Sequence, residues 1–110
     1  MVKKALSGPT VWIENLTNLN AVTTATDGDK VETKWYKTIT VFVNVSVNTN
    51  TVTVNIEASH DGTTWFNLDS RTYTAVTTDI FVYEAHFPFM RTTTTSQTAA
   101  TVTTEITGRS

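Results

Sequence analysis

The stretch from Lys37 to Ser59 reads K-T-I-T-V-F-V-N-V-S-V-N-T-N-T-V-T-V-N-I-E-A-S, and apolar residues occupy nearly every second position in it. Successive side chains of a β-strand point to opposite faces of the sheet, so a period of two indicates a strand with one buried face. The pattern predicts a long strand at Lys34–Asn48 and a second at Thr51–Ser59, paired with each other through a short hairpin at Asn48-Thr49-Asn50. The apolar residues that define it are Ile39, Val41, Val43, Val45 and Val47 before the turn, and Val52, Val54, Ile56 and Ala58 after it.

Shorter strands are predicted on both sides of this stretch. Seven or eight strands with frequent turns and no helical period predict an all-β fold, an antiparallel β-sandwich of jelly-roll or immunoglobulin-like type. Residues 1–9 are predicted to form an N-terminal arm and residues 10–110 a single β-sandwich domain. The additional strands span Thr10–Asn15, Thr64–Leu68, Thr78–Ala85, Phe87–Thr94 and Ala99–Thr107, whereas Leu16–Ala25 fits either a strand or an irregular loop.

The composition argues against several classes of function. The 110 residues include no cysteine, which excludes disulfide bonds, thiolate metal sites and a cysteine nucleophile. A net charge of −2 gives no electrostatic reason to expect nucleic acid as a partner. No run of the sequence approaches the ~20 apolar residues of a membrane helix, and no secretory signal is recognisable. We therefore expect no nucleic-acid or membrane partner, and a protein that stays in the compartment where it folds.

The sequence contains no catalytic or metal-binding pattern. His60 and His86 lie far apart, each beside a turn, and neither has a second histidine at metal-ligand spacing. The nucleophile motif G-x-S-x-G is absent. Asp27-Gly28-Asp29 lacks the further oxygen ligands of a calcium loop and is interpreted as a turn. We expect a protein that is not an enzyme and that holds no cofactor or metal.

Two aromatic residues of the long strand are candidates for a protein interface. Tyr36 and Phe42 fall on the polar side of the predicted strand, opposite Val41 and Val43. Either a second layer of the protein covers them or a partner does, and apolar rings on a wet face point to a partner. The other aromatic side chains are expected mainly to fill the space between the two sheets, although exposed rings also stack on sugars in carbohydrate-binding proteins.

The segment Ser59-His60-Asp61-Gly62-Thr63-Thr64-Trp65 is predicted to be a structural turn. Asp61 can accept backbone hydrogen bonds within it, and Gly62 supplies the positive φ that such turns need. Trp65 is expected to anchor the hairpin in the core.

Together with the later strand Phe87-Pro88-Phe89-Met90-Arg91, this turn carries a resemblance to known families. The pairing resembles the S-x-D-G-x-x-W turn and the aromatic-x-R strand of discoidin-like and galactose-binding-like jelly rolls. Arg91 of this chain corresponds to the arginine of that strand. It is more similar still to a group of small, threonine-rich phage and prophage virion proteins whose closing stretch ends in G-R, here Gly108-Arg109. The resemblance covers about Val41 to Arg109.

The resemblance implies a non-enzymatic virion structural protein, such as a capsid decoration or cement subunit assembled in the host cytoplasm. Its partners would be the major capsid protein or other virion components, and it would form a homo-oligomer, of which a trimer is one form. Two alternatives stay open at this point. One is a carbohydrate-binding module of a phage tail or fibre. The other is a surface or filament subunit joined by strand exchange through about its first 15 residues.

Overall fold

The structure, a computed structural model, describes residues 2–6, 11–84, 86–95, 97 and 99–110, with side chains described from Asn15 onward. The elements in this part of the chain are all β-strands, so the predicted all-β class is confirmed. Seven of the strands overlap predicted ones, while β1, within the stretch predicted to be an arm, and the two-residue β3 were not predicted. The strands are β1 (Val2–Leu6), β2 (Val11–Val22), β3 (Val31–Glu32), β4 (Thr38–Asn48), β5 (Val52–Ser59), β6 (Phe66–Tyr73), β7 (Thr77–Tyr83), β8 (Phe89–Thr95) and β9 (Ala100–Arg109).

The strands form two antiparallel sheets, and the predicted β-sandwich is confirmed. Sheet A has the order β1-β2-β9-β4-β7, and sheet B has the order β3-β8-β5-β6. Within them β2 pairs with β9, β3 with β8, β4 with β7 and β5 with β6. These pairs are nested inside one another along the chain, an arrangement that jelly rolls share.

The predicted hairpin between the two strands of the Lys37–Ser59 stretch is wrong. β4 lies in sheet A and β5 in sheet B, so the connection crosses from one sheet to the other. The connecting residues bond to other loops: Asn48 donates its side-chain amide to the Tyr73 carbonyl at 3.0 Å, and the Thr49 amide donates to the Ala99 carbonyl at 3.1 Å. Both strands have a fully apolar inner face, and placing them in opposite sheets lets these two faces bury each other.

The core lies between the inner faces of β4, β5, β8 and β9. Ile39, Val41 and Val45 of β4 and Val52 of β5 have no exposed surface, and Met90 of β8 is buried equally completely. Burying each such side chain contributes roughly 1.5–3 kcal/mol to stability. β4 pairs with β7 on one side and with β9 on the other, and its inward apolar residues form part of the core.

Polar contacts close the sandwich where β2 and β8 meet. The buried Thr92 and Thr104 hydroxyls lie 2.6 Å apart. The Asn18 side-chain carbonyl accepts from both the amide and the hydroxyl of Thr92, each at 2.7 Å. The register of β2 shifts between Thr17 and Leu19, which brings Asn18 towards sheet B. Because buried polar groups are costly only when unpaired, this network ties the two sheets together at little penalty.

A second set of polar contacts, the seam, closes the opposite side between β6 and β7. The Tyr73 hydroxyl donates to Asp79 at 2.9 Å, and the Tyr83 hydroxyl donates to Asp69. Burial, reinforced by these carboxylates, raises the pKa of both tyrosines. Arg71 lies 3.5 Å from Asp79 and completes the seam. Inward-pointing charges on edge strands oppose edge-to-edge pairing with other chains, so the seam protects β6 and β7.

Candidate interaction surface

The outward face of sheet A carries apolar side chains that nothing in the described chain covers. Phe42 of β4 lies directly opposite Ile80 of β7, and Thr40 lies opposite Val82. Their exposed fractions are 39% for Phe42, 58% for Ile80 and 59% for Val82. Since the alternate residues Val41 and Val43 fill the core, these side chains must point outward. Adjacent exposed apolar side chains of this size favour a contact surface.

A concave region of about 450 Å³, here named the outer groove, runs between Phe42 and Ile80. Its charged outward side chain is the Glu105 carboxylate of β9, whereas the Asp79 side chain points to the inner face of sheet A, like its cross-strand neighbour Val43. Asp79 belongs to the seam and also accepts from the Ile80 amide at 2.9 Å. The groove is lined by Phe42, Val43, Asn44, Thr78, Asp79, Ile80, Thr103 and Glu105. The groove thus has apolar side chains on β4 and β7 and one carboxylate, Glu105, on β9.

Phe42, one of the two predicted interface residues, lines this groove, but the prediction for Tyr36 is wrong. Tyr36 is 4% exposed and lies in the turn before β4, so the alternation of the strand does not apply to it. Its ring packs over Gly108 of β9, where an added Cβ would lie 2.4 Å from a ring carbon. Glycine at this position lets the ring approach the backbone, and Tyr36 therefore belongs to the core.

The Ser59–Trp65 segment forms a tightly bonded turn between β5 and β6. One Asp61 carboxylate oxygen accepts from the amides of Thr63 and Thr64, each at 2.8 Å, and from the Ser59 hydroxyl at 3.0 Å. The Ser59 hydroxyl oxygen in turn accepts from the Gly62 amide at 2.8 Å, and Gly62 has a φ of 81°. The two backbone amides hold the pKa of Asp61 well below its usual range. These contacts are all local, which makes this a structural turn.

Trp65 and Arg91 meet on the outer face of sheet B and not in the core. Trp65 is half-buried, and the Arg91 guanidinium lies over its ring at 4.4 Å from the centroid. The same guanidinium pairs with Glu57 at 2.7 Å. The expectation that Trp65 fills the core is therefore corrected: the residue follows the turn at the end of the sandwich, where one ring face is left for the arginine.

A smaller cavity of about 200 Å³, here named the end cavity, opens beside this turn. Rings form much of its wall: Phe66 is 57% exposed, and the imidazole of His60 lies 6.0 Å from it. The Ser59 hydroxyl in its wall already donates to Asp61 and accepts from the Gly62 amide within the turn. The remaining lining residues are Ala58, Leu68, Phe87 and Pro88.

Among the described residues, no three His, Asp or Glu side chains gather in a way that could hold a metal ion. Within the same residues, no helix is long and apolar enough to cross a membrane.

Comparison with known proteins identifies the fold. No protein-family model and no curated protein sequence matches the chain. The SPBc2 prophage-derived protein YomS has a similar structure, with a TM-score of 0.74 and 11% identity over 96% of this chain and 99% of YomS. The PBSX exported protein XepA gives a TM-score of 0.75 and 10% identity over 96% of this chain, which corresponds to 40% of XepA. PirA is a more distant match, with a TM-score of 0.54 and 14% identity over 84% of this chain and 90% of PirA. At such low identity the likeness shows a shared fold.

Sequence reasoning missed Ile80, Val82 and Glu105 as parts of the surface. The stretch Thr78–Ala85 has apolar residues on both faces, so its period does not say which face points outward. The pairing of Ile80 with Phe42 shows that Ile80 and Val82 point outward, and that pairing depends on the sheet order.

Proposed function

We propose that this chain is a non-enzymatic structural protein of a phage particle, where it acts through protein–protein contacts. The observation that carries the proposal is the outer groove, an exposed apolar surface on a rigid sheet. The full-length fold likeness to a prophage-derived protein supports it, as does the resemblance of the Ser59–Trp65 turn and the Phe87–Arg91 strand to small virion proteins.

In this proposal the chain is a capsid decoration or cement subunit assembled in the host cytoplasm. Its outer groove binds the major capsid protein or another virion component, and copies of the chain associate into a homo-oligomer. A sheet face suits this role because its position is fixed by two neighbouring strands, which lowers the entropy lost on binding. The seam keeps the β6 and β7 edges from pairing with other chains, so association is directed to the face.

Co-sedimentation with capsid particles assembled without this subunit tests the proposal. The wild-type protein should pellet with the particles, and Ile80→Asp should weaken that binding at least about tenfold because it places a charge in an apolar contact. Val47→Asp is the matched control, since Val47 is a 50% exposed valine of β4 outside the groove. A wild-type protein that stays in the supernatant at every concentration would remove the proposal.

One observation favours a second candidate, a carbohydrate-binding module of a tail or fibre. The end cavity is lined by the rings of His60, Phe66 and Phe87, and exposed rings stack on the apolar faces of sugars. A glycan array with wild type and Phe66→Ala separates the candidates. If wild type binds a glycan and Phe66→Ala does not, the carbohydrate-binding candidate is supported. If wild type binds no glycan on the array, that candidate is excluded.

A further inference from the structure

Aromatic rings, cations and carboxylates recur in this chain as groups of three. Among the described residues, four cations lie over aromatic rings, and three of these also pair with a carboxylate. In each of these three groups the cation lies over the ring and also pairs with the carboxylate. The ion pair helps to keep the cation over the ring. The groups are Trp65–Arg91–Glu57, Phe81–Arg71–Asp79 and Trp35–Lys34–Glu32, with cation-to-centroid distances of 4.4, 5.4 and 4.7 Å.

The outer groove contains the ring and the carboxylate of such a group without the cation. Phe42 and Glu105 are directly opposite each other on β4 and β9, and both line the groove. Cross-strand neighbours on one face have Cβ atoms about 4.5–5.5 Å apart, so one cation can reach both side chains. Within the described part of the chain, no cation lies over Phe42, and the Glu105 carboxylate has neither an ion pair nor a hydrogen bond.

We propose that the partner bound in the outer groove supplies the missing cation as an arginine. Its guanidinium stacks on Phe42 and donates to Glu105, while a neighbouring apolar side chain of the partner contacts Ile80. Charge complementarity carries this choice, because Glu105, the charged side chain on the same face as Phe42 and Ile80, is a carboxylate that has no partner in the described chain. Arginine fits better than lysine because its planar fork stacks on a ring and bonds a carboxylate at the same time. The inference rests on the proposed function, in which the groove contacts another protein.

The guanidinium site can be tested without the partner. N-acetyl-arginine N-methylamide is titrated into the ¹⁵N-labelled full-length protein, and the amide shifts of Phe42 and Glu105 are followed. We expect saturable shifts at these amides, about tenfold weaker binding in Glu105→Gln, and weaker binding of the lysine analogue. Glu84→Gln is the control, because Glu84 is exposed and lies outside the groove, and it should bind like wild type. Shifts that do not saturate, or that Glu105→Gln and Glu84→Gln reduce equally, would overturn the site.

Co-sedimentation with capsid particles separates this inference from the proposed function. If wild type binds particles and Glu105→Gln binds equally well, the arginine assignment is wrong while the structural role stands. If wild type does not bind particles at all, the structural role fails, and the titration still decides the guanidinium site. Self-association that both Ile80→Asp and Glu105→Gln abolish would place a second copy in the groove and overturn the assignment to a partner.

Discussion

The outer faces of the two sheets differ in how completely their side chains satisfy one another. On sheet B the outward side chains pair within the chain: the Thr53 and Thr72 hydroxyls lie 2.9 Å apart, and the Asn55 amide donates to Thr93 at 3.2 Å. Glu57 and Arg91 form an ion pair on the same face. On sheet A the outward face instead carries exposed Phe42, Ile80 and Val82 and an unpaired Glu105 in the described chain.

This contrast indicates which outer face has its side chains satisfied within the chain and which would gain free energy from a partner. A face whose polar groups are already paired gains little from a partner, because binding would only exchange one set of hydrogen bonds for another. A face with exposed apolar area gains free energy when a partner removes that area from water. Substitutions on the outer face of sheet B should therefore act on folding, and substitutions on the outer face of sheet A on association.

The largest effect on stability is expected from Arg91→Ala on sheet B. It removes the stack on Trp65 and leaves the half-buried Glu57 carboxylate unpaired, so the free energy of unfolding should fall by about 2 kcal/mol. Urea unfolding followed by tryptophan fluorescence measures the change. Arg71→Ala is the control: its pair with Asp79 is more exposed and longer, and its loss should cost under about 1 kcal/mol. Equal losses of unfolding free energy in the two variants would show that the Arg91 contacts stabilise sheet B no more than an exposed ion pair does.

A pH-dependent effect is expected from Asp61, at the turn that joins β5 and β6 of sheet B. Its folded pKa is lowered, so its contribution to stability is present above the unfolded pKa of about 4 and is lost as the pH falls further. Asp61→Asn should destabilise the protein at pH 7 and flatten the loss of stability between about pH 4 and pH 2. Unfolding curves of both proteins at pH 7, 4 and 2 measure this. Parallel declines of wild type and variant would contradict the assignment.

The smallest effect is expected from Ile80→Thr on sheet A. Ile80 is 58% exposed and contributes little to the core, so the free energy of unfolding should change by less than about 0.5 kcal/mol. Thermal and urea unfolding measure it. A loss above 1.5 kcal/mol would show that the groove stabilises the monomer, and the contrast between the two faces would weaken.

The sequence predicts the strands well because alternation and turn residues are local signals. The Ser59–Trp65 turn is predictable for the same reason, since its hydrogen bonds join residues a few positions apart. Sheet order is not predictable, because alternation tells which side chains share a face but not which strands pair. For this reason the alternation predicts a hairpin of β4 and β5, although the two strands lie in different sheets.

The two residues predicted to form an interface show the same division between local and long-range signals. The outward position of Phe42 is predictable because the residues of its strand alternate without interruption. Tyr36 was assigned wrongly because it precedes β4, and the residue that makes room for its ring, Gly108, lies near the other end of the chain. Glu105 and Ile80 join the site only through the pairing of β9 and β7 with β4, which no local pattern encodes.

The chain has no cysteine, so single cysteines introduced on each face report directly which face a partner covers. Ile80→Cys places a thiol on the outer face of sheet A, and Thr72→Cys places one on the outer face of sheet B. The rate of maleimide modification is measured for each variant with and without capsid particles. We expect bound particles to slow the reaction of Ile80→Cys at least about tenfold and to leave Thr72→Cys unchanged. Protection of Thr72→Cys with free reaction of Ile80→Cys would contradict the account.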